Sequence, residues 1–366
     1  MATHRASVSP AKGQPFEIQH RSTPKPGPGE LLIAVKSIAI NPADVRMRDE
    51  GLYIPKHPAV LGFDLAGLVV DVGEDVPSHF QRGVTRVAAY SAFMWKPSDE
   101  NYGAFQEKCL VPWQQAIPLA DASLSWHHAA TLPVAVQVPL CAWDALGISR
   151  LGEVTSPPSS GKSEALLVWG ASSSVGTMGV QTASLLRDDR NSPFSAVYAT
   201  AGSSNVDYVA SLGADCVFDY KGPQVADTIV AKAKENGLVI RHCFLATGQL
   251  AACQAVLKAF VPSCPEKGAR GTRKAKIASA PLIPPHAESV DGVETVFVMP
   301  SMDEKEGLKQ FEYWFGTYLK DKLAQGKIRP SPEPTTVGKG LEAINVGLDQ
   351  MTKGVSCTKL VVEMSE

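Results

Sequence analysis

The sequence predicts an α/β protein in two parts, a mostly-β N-terminal domain followed by a doubly wound parallel sheet. Three observations carry this. An apolar run ends in a small-residue turn at Leu166–Gly176 (LLVWGASSSVG), a strand-turn-helix rhythm repeats from Ser195 to Ala246, and the first 130 residues hold short strands punctuated by Gly and Pro. A chain of 366 residues with 44% hydrophobic content can bury the core that two such domains need.

Taken in order, LLIAVKSIAI, VLGFDLAGLVVDVG and VTRVAAY read as strands bounded by turn signals such as Gly27–Gly29, with no long helix between them. That pattern predicts an irregular barrel. Within it, Asp44 follows Asn-Pro and is expected to cap a short helix over Val45–Asp49 by accepting backbone N–H groups. A polar loop, Thr155–Ser163, precedes the apolar strand Leu166–Trp169, and Val175, Met178, Gly179 and Ala183 then lie on one helical face. Between strand and helix, small side chains let backbone N–H groups approach an anion, and the positive end of the helix adds a favourable field. Gly170 and Gly176 bracket this phosphate cradle, Ser172, Ser173 and Ser174 offer hydroxyls, and Val175 opens the helix. Ser173 stands where the dinucleotide fingerprint often has glycine.

The next strand, AVYAT, ends in the turn Ala201–Ser204, and a helix follows through about Leu212. Gly213–Tyr220 supplies another turn and strand, Val225–Glu235 a helix and Val239–Ala246 a strand. Parallel pairing follows from the helical crossovers, and the ligand then sits at the carboxyl ends of the strands. Thr247, just past Val239–Ala246, falls at that edge, and Phe297 opens a last strand, Phe297–Met299, that reads as a hydrophobic wall of the cofactor site or as a simple core strand. Val261–Ser289, with its Pro, Gly and basic residues, reads as an excursion between late elements.

The net charge of −2 and the lack of aromatic-basic interleaving argue against a nucleic-acid partner, and the Lys267–Lys276 cluster reads as a solvated loop. The polar N-terminus and the lack of a bilayer-length apolar run predict no signal peptide and no membrane association, hence a cytoplasmic location. Seven scattered cysteines, with no CxxC, fit reduced thiols and offer no structural zinc spacing. His127 and His128 are adjacent, so on a helix they point about 100° apart and suit no shared ion.

Five segments fall in register with one family: NPADVRMRDEGLY at 41–53, PAVLGFDLAGLVVDVGEDV at 58–76, GAFQEKCLVP at 103–112, AATLPVA at 129–135 and GASSSVG at 170–176. The chain resembles the medium-chain dehydrogenase/reductase superfamily over nearly its whole length. The resemblance implies a GroES-like mostly-β catalytic domain, residues 1–135 and 311–366, and a Rossmann cofactor domain, residues 136–310. Within the superfamily it resembles the zinc-free branch. NPADV replaces the first cysteine-bearing segment, Gly62-Phe63-Asp64 replaces the GHE histidine with an aromatic ring, and Tyr90–Lys108 lacks the four cysteines of the structural zinc lobe. No metal is therefore expected. The nearer likeness is to quinone oxidoreductases and the fungal trans-acting enoyl reductases, whose ending resembles Gly340–Leu341, Lys353–Gly354 and Lys359–Val361, with Lys359 returning to the cofactor side. A polyketide synthase is a partner that this likeness implies.

Cofactor choice follows from charge. A carboxylate at the end of the second strand selects NAD and repels a 2′-phosphate; here that strand ends Thr200-Ala201-Gly202-Ser203-Ser204-Asn205, without an acid. Ser203, Ser204 and Asn205 can donate to a phosphate, and Tyr220 and Lys221 follow in the DYK segment that frames the adenosine phosphate in quinone reductases. The expected cofactor is NADPH. Asn41 is a candidate for holding the nicotinamide ribose or the substrate, and Tyr53 resembles the tyrosine that faces substrate in quinone reductase-like members. Arg46 sits where enoyl reductase relatives present a lysine, and is equally readable as a surface cation. Thr131 can orient a ligand or bond its own backbone.

Hydride delivery to a conjugated acceptor puts negative charge on a carbonyl oxygen, which pre-placed donors stabilise while the nicotinamide does the bond-making. The leading expectation is a zinc-independent, NADPH-dependent reductase of an activated C=C bond in an enone or a carrier-bound enoyl thioester, in secondary metabolism. A quinone reductase, a carbonyl or imine reductase, and a non-catalytic NADPH-binding scaffold remain open, as do monomer and homodimer.

Overall fold

The computed structural model describes residues 2–97, 99–120, 123–153, 162–262 and 274–364. In chain order the elements begin with β1 (Thr3–Ser9), β2 (Glu17–Ser22), β3 (Glu30–Ala39), α1 (Pro42–Glu50), β4 (Ala59–Val60), β5 (Asp64–Val72), β6 (Arg86–Tyr90), β7 (Lys108–Pro112) and β8 (Ala116–Pro118). Helices α2 (Trp126–Ala130) and α3 (Leu132–Leu146) follow, then β9 (Glu164–Trp169), α4 (Ser174–Asp188), β10 (Phe194–Ala201), α5 (Val206–Ser211), β11 (Cys216–Asp219), α6 (Val225–Glu235), β12 (Val239–Leu245), α7 (Leu250–Lys258), β13 (Ala275–Ser279) and β14 (Val293–Phe297). The chain continues with α8 (Glu304–Phe311), a π-helical stretch at Glu312–Leu319, α9 (Lys320–Ala324), β15 (Pro334–Lys339), α10 (Ala343–Thr352) and β16 (Lys359–Glu363).

Two compact units divide the chain, residues 1–137 with 300–366, and residues 138–299. The first is the mostly-β unit. Its larger sheet runs β15-β16-β3-β5-β6-β8, with β7 also on β3, and a smaller sheet runs β2-β1-β4. The C-terminal strand β16 pairs antiparallel with β3, so Val361 lies opposite Ala39. That pairing brings the chain's end to the start of α1. Residues 300–310 were expected with the cofactor domain, but they belong to the first unit, where Ser301 O accepts from Trp95 Nε1 at 3.0 Å and Glu304 pairs with Lys96 at 2.7 Å.

The second unit is a six-stranded parallel sheet in the order β11-β10-β9-β12-β13-β14. Strand β9 is buried throughout, as its unbroken apolar run requires of a strand covered on both faces. Because all six strands run the same way, the residues that follow β9, β10, β11 and β12 share one edge. Two expectations are corrected here. Val261–Ser289 is no mere excursion: Ala275–Ser279 within it forms β13, pairing with β12 and β14, and its polar appearance comes from Lys276 beside the buried Ala275, Ile277 and Ala278. The last strand is Val293–Phe297, so Phe297 ends it where it was expected to begin.

The described part of Thr155–Ser163 is its last two residues, and Cys264 and residues 267–273 of the basic cluster lie outside the described residues. The stretch Trp126–Leu146 is, against expectation, 21 residues long and apolar enough to cross a membrane, but 78% of its most apolar window is buried inside the fold. Its hydrophobicity is that of a core helix.

Candidate functional site

In the parallel unit, β9 delivers the chain into the turn Gly170–Ser173, and α4 opens at Ser174 with Ser173 as its N-cap. Ser173 Oγ accepts from Gly176 N at 3.2 Å and donates to Gly170 O at 2.8 Å, which ties the turn across its mouth. Gly170 has φ +79, and a Cβ there would stand 2.5 Å from Thr247. A Cβ on Gly176 would stand 2.3 Å from Gly170 O and 2.8 Å from Ala171 Cα, both backbone. The turn therefore requires glycine at both positions, at Gly170 for its left-handed backbone as well as close approach and at Gly176 for close approach alone. The Ser174 and Val175 N–H groups fall in the first turn of α4, where a helix has no internal acceptor for them. Ser172 and Ser174 are half-buried at the lip, and the arrangement fits a diphosphate.

The neighbouring strands bring the other candidates to this edge. Ser203, Ser204 and Asn205 form one 3-10 turn after β10, with both serines exposed. Tyr220 N donates to Ala201 O at 3.2 Å, which places the Tyr220–Lys221 pair beside that turn. Tyr220 is 47% exposed, and Lys221 Nζ lies 5.8 Å from its ring centroid. Asp219 turns its carboxylate to Lys221 N at 2.9 Å. Thr247 is exposed just past β12, with its backbone against Gly170, while Phe297 is half-buried at the end of β14.

In the mostly-β unit the candidates gather at the head of α1. The helix begins at Pro42, three residues earlier than expected, so its N-cap is Asn41 and Asp44, expected as the cap, is its third residue, whose Oδ2 reaches back to accept from Asn41 N at 2.7 Å. Asn41 itself is 3% exposed, and its amide is committed. Nδ2 donates to Asp64 Oδ2 at 3.0 Å, and Oδ1 accepts from Lys359 Nζ at 2.5 Å. Lys359 Nζ also lies 3.0 Å from Asp64 Oδ2, and Asp64 Oδ1 accepts from Val134 N at 2.8 Å. Asn41, read as a ribose or substrate ligand, and Lys359, read as a cofactor contact, hydrogen-bond in this structure to one another and to Asp64. Sequence reading missed Asp64 as a site residue. The signal available was a carboxylate flanked by buried apolar residues, which needs a cation, and Lys359 is the buried lysine that supplies it.

Phe63, in the GHE-like position, packs in an aromatic group with Tyr90 at 5.6 Å and Phe93 at 6.4 Å between ring centroids. Thr131 is buried and its hydroxyl donates to His128 O at 2.7 Å, the local backbone alternative. His127 meets Ser37 at 3.0 Å, and burial pulls its pKa down; His128 meets Glu333 at 3.0 Å. Arg46 binds Glu50 through a bidentate i,i+4 pair, with 2.7 Å the shortest contact, on a partly exposed face. Tyr53, beyond α1, has φ +61, an outlier for an aromatic residue and a mark of local strain. Burial pushes its phenol pKa up, and the Arg46 guanidinium opposes that shift, so the hydroxyl stays a donor at neutral pH.

Residues 27–121 match the alcohol dehydrogenase GroES-like domain. Over its full length the chain is similar to the trans-enoyl reductase tndF of Aspergillus flavipes, 37% identical across 99% of each chain. It is 31% identical, across the whole of both chains, to the dehydrogenase orsE of Emericella nidulans. Among solved structures, an alcohol dehydrogenase superfamily protein from Novosphingobium aromaticivorans shares the fold with a TM-score of 0.77 and 20% identity, covering 99% of this chain and all of that one. The CurK enoyl reductase does so with a TM-score of 0.71 and 17% identity, covering 99% of both. The chain belongs to the medium-chain dehydrogenase/reductase superfamily, in its enoyl reductase-like branch.

Proposed function

We propose that the protein is an NADPH-dependent, zinc-independent reductase that adds hydride to an activated C=C bond in an enone or enoyl thioester, in secondary metabolism. The observation that carries the reading is the glycine-bracketed turn at the head of α4, flanked by an acid-free Ser203–Asn205 turn and by Lys221. NADPH, when bound, supplies the hydride. Backbone N–H groups of the Gly170–Gly176 turn hold its diphosphate, and the Ser203 and Ser204 hydroxyls with Lys221 take the 2′-phosphate.

Zinc independence is supported by what fills the polar hole where Asn41 and Asp64 meet. The Lys359 ammonium occupies it, so the carboxylate already has its cation. Without a Lewis acid, the developing enolate oxygen needs a hydrogen-bond donor, and the Tyr53 hydroxyl is proposed for that role, with Arg46 adding positive potential. A trans-acting arrangement with a polyketide synthase is part of the same proposal, supported by the name of the Aspergillus flavipes relative.

The test is oxidation of NADPH against enones, enoyl thioesters and quinones, with NADH in parallel and a chelator present. Turnover of an enone or enoyl thioester that the chelator leaves unchanged is expected; turnover of quinones alone would overturn the substrate class. A second measurement separates the cofactors. Lys221→Ala is expected to raise KM for NADPH on the order of tenfold, the scale of one charge-assisted phosphate contact, and to leave KM for NADH unchanged. Equal loss with both cofactors would remove Lys221 from the phosphate seat.

A further inference from the structure

The buried set at the head of α1 has an odd charge count. Asp44 and Asp64 are both 0% exposed and Lys359 is 2% exposed, so two carboxylates share one ammonium. The geometry assigns that ammonium to Asp64, at 3.0 Å. Asp44 holds one backbone donor through Oδ2, while its Oδ1 is buried with no hydrogen-bond partner among the described residues. An oxygen in that position gains nothing from a negative charge, and the burial cost of a second unpaired carboxylate is large. The charged groups that face Asp44 are Asp64 from β5, which repels its charge, and Lys359 from β16, which favours it. The other charges of α1 are occupied elsewhere: Arg46 with Glu50, and Arg48 with Asp49 and with Asp349 of α10.

We propose that Asn41, Asp44, Asp64 and Lys359 form a proton-linked anchor for α1, neutral when Asp44 carries a proton on Oδ1 and destabilised when that proton leaves. The anchor fixes the helix whose far end leads into Tyr53, so Asp44 is a positioning residue rather than a catalytic one. Burial, the dominant influence, pushes the Asp44 pKa up to about 7. The sign follows. In the opened helix Asp44 has an ordinary carboxylate pKa, so the anchor's full strength is present below about pH 4, is lost progressively as pH rises toward 7, and is constant above that.

The test reads the helix and not turnover, so it stands apart from the reductase reading. Amide hydrogen exchange of residues 42–52 is measured in the full chain from about pH 4.5 to 8, with each rate corrected for its intrinsic pH dependence. Protection in the native chain is expected to fall by up to about tenfold per pH unit, the slope of one proton, and to level off near pH 7. Asp44→Asn keeps an acceptor for Asn41 N, carries no charge, and is expected to flatten that fall. The same pH dependence in both proteins overturns the proposal. Should Asp44→Asn fail to fold, carboxyl-carbon NMR of the native chain decides. An aspartyl resonance titrating well above the ordinary carboxylate range supports the anchor, and its absence overturns it.

Discussion

Lys359→Met is expected to cost the mostly-β unit about 3–5 kcal/mol, the scale on which removing one partner of a buried ion pair destabilises a fold. The magnitude follows from what the substitution leaves behind. Asp64 is 0% exposed and Asn41 is 3% exposed, so neither regains water when the ammonium goes. Asp64 keeps the Val134 N–H and the Asn41 amide, which are dipoles and not a counter-charge. The pair also joins distant parts of the chain, since Lys359 opens β16, Asp64 opens β5 and Asn41 caps α1. The expected readout is a fall in the midpoint of thermal unfolding on the order of 10 °C. Lys359→Met combined with Asp64→Asn removes the orphaned charge and is expected to recover more than half of the loss. A midpoint within about 2 °C of the native chain for the single variant would show that the pair holds nothing together.

The architecture was legible because its signals are local. LLVWGASSSVG places an apolar strand, a small-residue turn and a helix within a few residues, and the structure has β9, the turn and α4 there. Ser203–Asn205 and Tyr220–Lys221 were readable for the same reason: each follows a strand, and parallel pairing of β10 with β11 sets them side by side. The failures have a different origin. Asn41, Asp64 and Lys359 are separated in sequence, and it is the antiparallel pairing of β5 and of β16 with β3 that makes them neighbours. Asn41 looked free to bind a ligand because the residue that occupies its carbonyl oxygen lies near the other end of the chain. Strand β13 was missed because a lysine and small residues carry little strand propensity, and its place between β12 and β14 supplies the pairing that local sequence does not.

Gly176→Ala is expected to weaken NADPH binding by at least about a hundredfold, or roughly 3 kcal/mol. The added methyl group has no room: its carbon would stand 2.3 Å from Gly170 O, 2.8 Å from Ala171 Cα and 2.8 Å from Ser173 Oγ. Two of those three atoms are backbone, so relief cannot come from a rotamer change and the turn itself must open. Opening it breaks the Ser173 tie to Gly170 O and Gly176 N, and carries the N–H groups at the head of α4 away from a common focus. Anion binding there depends on several weak dipoles converging, which is why a shift of a few tenths of an ångström costs more than one lost hydrogen bond. Gly316→Ala is the control, since its added carbon meets nothing within 4 Å. Calorimetric titration with NADPH on both variants, with circular dichroism to show that each is folded, separates the outcomes. Undiminished affinity in folded Gly176→Ala would move the cofactor's phosphates away from this turn, and with them the proposed role of Lys221.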